Sequence, residues 1–471
     1  MPPFVSTRWN RYAWAYGLVV AVTLSHFLLG LPIQFSDSFD NLTKLTASWP
    51  TMLAAEFTQH AFLRPGLWAE LKLVHDASGG QYTPWFRSVQ AGQAVLLVVL
   101  FLALVRPRTR LDALLVPLGL AVLVGMHTFL GTVREAFPIN TFLTIVLLCF
   151  AAAVIALGRY RWWNDLLALA CFVVAALTVE SGLLVFVIIV TAALTGARGV
   201  SRVGVTLVAL ACAGYFVLRF MLLDVGTPGL LERSSGFGFS RLEPTDLVAR
   251  FGDGPIGFYA YNVLASVGSV LFSEPSNGVF HFTRELLAGE VQPARVVYLV
   301  SSTAATALLV TYGAASVRRW RQRACTRDDQ LCAMAVTVLA ANAAISYPYT
   351  KDVVMSPAGA FYAVAVVVAA RSLLARVETL PDWKRVAVAG LMIVLGTGWA
   401  LRFVGLHLSL RVQAHVARSE WAYRDNAVRD GSLTLDGRAV DLFRQLQGDA
   451  LYRYPPPPPI ALPLSRWMLT E

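Results

Sequence analysis

Two carboxylates three residues apart, Asp37 and Asp40, stand in Phe35-Ser36-Asp37-Ser38-Phe39-Asp40-Asn41, directly after the first long apolar run of the chain. On a helical turn this spacing puts both acids on one face. At a membrane–water boundary such a pair could take the proton of an acceptor hydroxyl or hold a divalent ion. The same residues also suit a helix start, with Ser36 or Asp37 capping a helix that runs through Asn41 to Leu45. Farther on, Arg64-Pro65 reads as another helix start, with proline near the first position. A guanidinium there can grip a phosphate through two parallel hydrogen bonds, and a helix N-terminus favours anions. An interfacial arginine meeting lipid headgroups is the plainer alternative. Arg134 and Glu135, Glu180, and Lys351 with Asp352 complete the candidates. Arg134 and Glu135 can also neutralise each other across a short turn. Glu180 interrupts an apolar stretch, where an acid is costly unless it is paired or faces water. Lys351 is either a cation for a phosphate or a solvated loop end.

The elements that must position these groups follow from composition. The chain has 471 residues, 56% of them hydrophobic and 14% charged, against about 25% charged in ordinary soluble domains. Apolar runs of about 17–22 residues recur from end to end, each long enough to cross ~30 Å of hydrocarbon. A transmembrane barrel would show alternating segments of about ten residues instead. The fold class is therefore an all-α polytopic membrane protein. Its net charge of +10 comes from arginines in short loops between the runs, the pattern of cytoplasmic loops rather than of a nucleic-acid surface. The five cysteines, Cys149, Cys171, Cys212, Cys325 and Cys332, have no metal-ligand spacing and read as small core residues.

In chain order, a first run at Tyr12–Leu31 reads as a retained helix with a cytoplasmic N-terminus, because Gly30-Leu31-Pro32 does not resemble a cleavage site. Residues 32–84 form an outside loop whose aromatic and aliphatic residues recur at helical spacing, which suits short amphipathic helices at the membrane surface. Further runs bring Arg134-Glu135 out again, and Leu166–Thr195 splits into two short helices meeting outside at Glu180. Residues 224–295 form a long outside loop. The apolar piece Gly257–Phe272 inside it is expected to be re-entrant or to lie at the surface, since a crossing there would put Arg318-Arg319-Trp320-Arg321 outside. Residues 296–407 hold the C-terminal crossings, for about eleven in all by span length. Residues 408–471 form an external tail, helix-like through Arg418, with a turn at Gly431 and a stiff Pro455–Pro459 segment. It is expected to cap the outer face or to meet a partner. Nearly all candidate polar groups then fall on one side of the membrane. No GxSxG, P-loop or zinc-hydrolase pattern occurs.

An acidic motif after the first transmembrane helix, Ser36-Asp37-Ser38-Phe39-Asp40, resembles the GT-C superfamily of membrane glycosyltransferases. So do an Arg-Pro pair at Arg64-Pro65, an acid followed by Pro-x-Asn at Glu135 and Pro138-Ile139-Asn140, and an acid at a later helix junction, Glu180. The likeness covers roughly residues 12–223, and beyond 224 it is one of general architecture. It implies a GT-C-like bundle with juxtamembrane helices in the first outside loop, and residues 1–223 as its core module. It also implies an inverting transfer of sugar from a polyprenyl-phosphate donor to a glycan, lipid or protein acceptor outside a bacterial-type inner membrane. Asp37 or Asp40 would be the base, with a divalent metal at that pair as the one cofactor to consider. Arg64 and one of Arg134 or Lys351 would hold the phosphate. Many members carry adjacent acids where this chain has Asp37-Ser38, so the choice between the two aspartates stays open. A flippase for a lipid-linked glycan would instead need polar groups through the bundle. A non-catalytic assembly protein would leave Asp37, Asp40 and Arg64 apart.

Overall fold

The computed structural model describes residues 8–58, 62–134, 141–225, 234–236, 239–275, 278–435 and 437–453. In chain order its helices are α1 Arg8–Leu29, α2 Ser36–Lys44, α3 Trp49–Thr58, α4 Pro65–Ala77, α5 Tyr82–Val105, α6 Arg110–Gly125, α7 His127–Arg134, α8 Thr141–Ala156, α9 Trp162–Thr178 and α10 Leu184–Leu194. There follow α11 Arg202–Phe216, α12 Pro244–Phe251, α13 Ile256–Phe272, α14 Val279–Ala288, α15 Pro293–Arg321, α16 Arg327–Ile345, α17 Ser356–Leu374, α18 Asp382–Arg429 and α19 Gly437–Gly448. A two-stranded antiparallel hairpin, Ser234–Gly236 with Phe239–Leu242, is the one exception to an all-α chain among the described residues.

Six helical segments are long and apolar enough to cross a membrane, and up to eight if each of two bent pairs counts as one span. The bent pairs are α6 with α7, at 64°, and α12 with α13, at 99°. These segments make the chain an integral, multi-pass membrane protein. Exposed apolar side chains on the outer helices, such as Leu18, Val22, Leu210 and Leu264, form its lipid-facing surface. The bundle is built around α17. Every residue from Ser356 to Ala370 is buried, and α6, α8, α15 and α16 pack around it. Its run of alanine and valine fits that position. Lipid tails give no hydrophobic reason for helices to associate, so close contact between small side chains does the work.

Residues 32–84 do fold into short helices, α2, α3 and α4, before α5 begins at Tyr82. They share an apolar cluster with the C-terminal tail, in which Phe39, Leu42, Leu71 and Phe86 meet Trp421, Phe443 and Leu446. Trp421 is fully buried and its indole Nε1 donates to the Ile33 carbonyl at 2.7 Å. The helix that carries Trp421 corrects the reading from sequence. Instead of ending near His407, α18 continues unbroken to Arg429, 48 residues in all, or about 72 Å. Residues 408–429 contain neither glycine nor proline, and the first breaker is Gly431, at φ 80°. With Leu410, Ala417 and Trp421 buried along one side, nothing in this stretch stops a helix.

Two interior features are polar groups that the apolar pattern conceals. Arg402 of α18 is buried, donates from Nε to the Gly125 carbonyl at 3.1 Å and from Nη1 to Ser302 Oγ at 2.8 Å, and lies between the rings of Trp399 and Tyr298. Helix α13 presents a polar stripe inward: Asn262 donates to the Tyr347 carbonyl, Ser266 bonds Thr350, and Ser269 donates to Asp352. Its opposite face carries Ile256 and Leu264, both exposed. Helix α13 is therefore docked by its polar side into the bundle.

Candidate functional site

Glu180 is the hub of the clearest polar constellation. It opens a 3-10 turn, Glu180–Leu183, at the break between α9 and α10. The turn presses so closely on α9 that a Cβ on Gly182 would come 2.0 Å from the Ala175 carbonyl oxygen, so only glycine fits. Arg64 immediately precedes α4, with Pro65 as its first residue. Its Nη2 lies 2.7 Å from Glu180 Oε2, and its guanidinium stacks 4.1 Å from the Phe62 ring centroid. Arg219 reaches the other oxygen, Oε1, at 3.0 Å and also donates to the Tyr215 hydroxyl at 2.8 Å. Beyond Phe216 the helix widens into a π turn, Val217–Leu222. Such turns alter which way side chains point, and this one delivers Arg219 to Glu180.

The two limbs of this cluster differ in access to water. Arg219 is 3% exposed, whereas Arg64 and Glu180 are 27% and 24% exposed. Arg64 has spent only part of its hydrogen-bonding capacity, because its Nε is buried without a partner among the described residues. Its backbone N–H donates to Glu56 Oε2 at 3.1 Å. Burial pushes the Glu56 carboxyl above its ordinary range, against the opposing pull of Arg64 and Trp68. Two guanidinium groups about one carboxylate leave Arg64, Glu180 and Arg219 together with one net positive charge.

A second set of contacts fixes the entry to α2. Arg87 on α5 is fully buried. It donates to the Leu31, Pro32 and Arg134 carbonyls and to the side chains of Gln34 and Gln90. Gln34 donates in turn to the Arg134 carbonyl at 2.6 Å. The backbone at Arg134 is thus tied to the strand of chain that leads into α2. Position 40 lies one turn beyond position 37 on that helix. Asp40 is exposed. The side chains of Ser36 and Asp37 lie outside the described residues, as do Glu135, Pro138, Ile139, Asn140 and His60. Phe35, before the helix, offers no capping side chain.

The remaining candidates gather elsewhere. Asp352 Oδ1 accepts from Ser269 Oγ at 3.2 Å and lies 3.6 Å from His127 Nε2, which is itself 3.0 Å from Ser269 Oγ. Serine, histidine and aspartate meet here, but not as a nucleophilic triad. Both partners share Nε2, while a relay needs the acid on Nδ1. Lys351 is exposed and stacks on Tyr349, 5.1 Å from the ring centroid. The structure therefore joins Arg64 to Glu180 and sets Asp352 with His127.

The sequence alone did not place Arg219 or Glu56 in this cluster, and it gave no sign of Tyr215, Arg87 or Arg402. The loop also holds two acids with opposite behaviour. Glu70 accepts from Gln93 and Thr144, and burial raises its pKa. Asp76, bonded by Lys72, His75 and Trp49, is lowered to about 2. Among the described residues no three His, Cys, Asp or Glu side chains form a metal-binding group, and no metal geometry can be built on Asp40 alone. Set beside known proteins, the chain matches no family model, no curated protein and no solved structure.

Proposed function

We propose that this protein is a membrane glycosyltransferase that moves a sugar from a polyprenyl-phosphate donor to an acceptor hydroxyl at the outer face, with inversion. The observation that carries the reading is the state of Arg64. It stands at a helix start beside the bundle, half-buried, held by Glu180, with an unspent Nε. A phosphate arriving there would find a pre-oriented guanidinium, backed by the second one of Arg219 across Glu180. The apolar flanks of α9 and α11 suit a prenyl chain. The topology we propose has about eleven crossings, a cytoplasmic N-terminus and an external C-terminus, with α12 and α13 forming a re-entrant pair.

In the reaction, a carboxylate of Asp37 or Asp40 takes the proton of the acceptor hydroxyl as its oxygen bonds the anomeric carbon. The bond from that carbon to the phosphate oxygen breaks, and the electron pair leaves with the lipid phosphate. Arg64 stabilises the charge that accumulates on the phosphate.

The test supplies the purified chain with polyprenyl-phosphate sugars of varied head group and a mixed pool of glycan and lipid acceptors, and measures release of polyprenyl phosphate. Asp37→Asn or Asp40→Asn is expected to abolish release while leaving unfolding unchanged. Full activity in both variants would end the catalytic reading.

A further inference from the structure

The opposite end of the bundle holds a cavity that the proposed reaction does not use. Val105, at the C-terminal end of α5, lines it. That is 18 residues beyond Arg87, or about 27 Å along the helix. The cavity has a volume of about 390 Å³ and is lined by Arg106, Arg108, Arg327 and Arg371 with Asp112 and Asp328. Four guanidinium groups against two carboxylates leave two positive charges in excess.

Both acids turn toward the same arginine. Asp112 Oδ1 lies 2.6 Å from Arg371 Nε, while its Oδ2 accepts from the Arg108 and Thr109 backbone N–H groups. Asp328 meets Arg371 at 3.3 Å. Arg327 feels the charge of Asp328 but shows no hydrogen bond to either acid among the described residues. Its Nη1 donates to the Leu104 carbonyl at 2.7 Å, but Nε and Nη2 are buried without partners among the described residues. Burial, together with Arg106, pushes its pKa down to about 10. Arg106 itself holds a left-handed backbone, φ 51°, which a residue with a side chain adopts only where its surroundings enforce it.

Arginines that merely mark a cytoplasmic loop reach into water. Here two donors of Arg327 are turned away from water and remain unpaired, a costly arrangement unless an acceptor arrives. We infer that this cavity binds a phosphate group carried on a larger molecule, a phosphomonoester or phosphodiester. Phosphate offers several acceptor oxygens and a charge that matches the excess. The volume lies in the range of about 300–1,000 Å³ typical of small-molecule sites, more than inorganic phosphate fills. Val105, Leu111 and Ala375 provide an apolar wall for what the phosphate is attached to. The cavity sits where α5 and α17 end, so the phosphate can come from a lipid headgroup or from a soluble ester.

The experiment uses the full chain in a non-ionic, phosphate-free detergent, and follows thermal unfolding as inorganic phosphate replaces chloride at constant ionic strength. A saturable rise in the midpoint is expected with phosphate and not with chloride. Arg327→Gln should weaken the response at least about tenfold, while Arg318→Gln, outside the cavity, should leave it intact. Should Arg327→Gln fail to fold, Arg106→Gln carries the same expectation. A parallel arm purifies the chain from bilayers with and without phosphatidylglycerol and weighs it intact. One retained phosphatidylglycerol, displaced by phosphate and lost in the variant, assigns the site to lipid. A phosphate response with no retained lipid assigns it to a soluble ester. Neither retention nor a phosphate-specific rise, or equal responses in the wild type and the folded cavity variant, would overturn the inference. Transfer activity is not measured, so failure here leaves the proposed reaction untouched.

Discussion

Replacing Glu180 by glutamine tests whether the Arg64–Glu180–Arg219 cluster is held together as its geometry implies. Glutamine keeps the shape and one oxygen acceptor but removes the charge between two guanidinium groups. The limb to Arg64 joins partners that are each about a quarter exposed. Water screens it, and its loss is worth about 1 kcal/mol. The limb to Arg219 ends on a guanidinium that is 3% exposed. Leaving that charge without its acid costs more, about 2 kcal/mol, below the ~3–5 kcal/mol of a fully buried pair because the glutamine oxygen still accepts. Glu180→Gln should therefore destabilise the chain by about 3 kcal/mol, measured by reversible unfolding in mixed micelles. Double-mutant cycles then separate the limbs. Coupling of Glu180→Gln with Arg219→Gln should be about twice that with Arg64→Gln, near 2 against 1 kcal/mol. A single-variant effect below about 0.5 kcal/mol, or equal coupling to both arginines, would refute the assignment of Arg219 as the buried anchor and Arg64 as the accessible arm.

Three further outcomes follow from the same packing. Gly182→Ala should cost about 3 kcal/mol or more, since its Cβ would meet backbone at 2.0 Å; Gly66→Ala, whose Cβ would stand 2.9 Å from the Leu177 carbonyl oxygen, should cost clearly less in the same unfolding assay. Glu70 has a raised pKa from burial, so the folded chain holds its proton to higher pH than the unfolded chain does. Its contribution is most favourable below the ordinary value of 4.5 and declines as pH rises through the window above it. Glu70→Gln should flatten that part of a stability profile taken from pH 4 to 8, and an unchanged slope would count against it. Trp421→Ala removes a fully buried ring and its bond to Ile33. It should cost about 3–5 kcal/mol and open the 32–84 loop to limited proteolysis before the bundle unfolds.

Local patterns were readable from the sequence, and partnerships across the chain were not. Proline after Arg64 marked the start of α4, and Glu180-Ser181-Gly182 marked the break between α9 and α10, because helix starts and breaks depend on neighbouring residues. The amphipathic spacing of residues 32–84 likewise announced their short helices. The bond from Glu180 to Arg219 spans 39 residues and depends on a π turn, for which no residue pattern gives notice. Arg87 and Arg402 were hidden inside apolar runs whose average hydropathy absorbs one charge. Only the structure shows how many carbonyls and hydroxyls each one collects. The arginines of the phosphate cavity were legible as a loop signature, and that reading concealed the cavity, because sidedness explains basic residues without asking where their N–H groups point.

The position of Arg402 has a consequence for biogenesis. Its guanidinium lies 20 residues into α18, about 30 Å from the start of the helix. Every group that receives its bonds or stacks on it, Gly125, Ser273, Tyr298, Trp399, Ser301 and Ser302, is synthesised earlier. When this helix leaves the ribosome, the acceptors for its charge are already in the membrane. Arg87 is placed the other way, since the carbonyls of Val133 and Arg134 that it needs are made later. Helix α5 must therefore wait with an unfinished shell until α7 follows, whereas α18 can be fitted on arrival as the last wall of the bundle. Site-specific crosslinking of ribosome-arrested chains from position 402 should report contact with 301–302 as soon as α18 emerges.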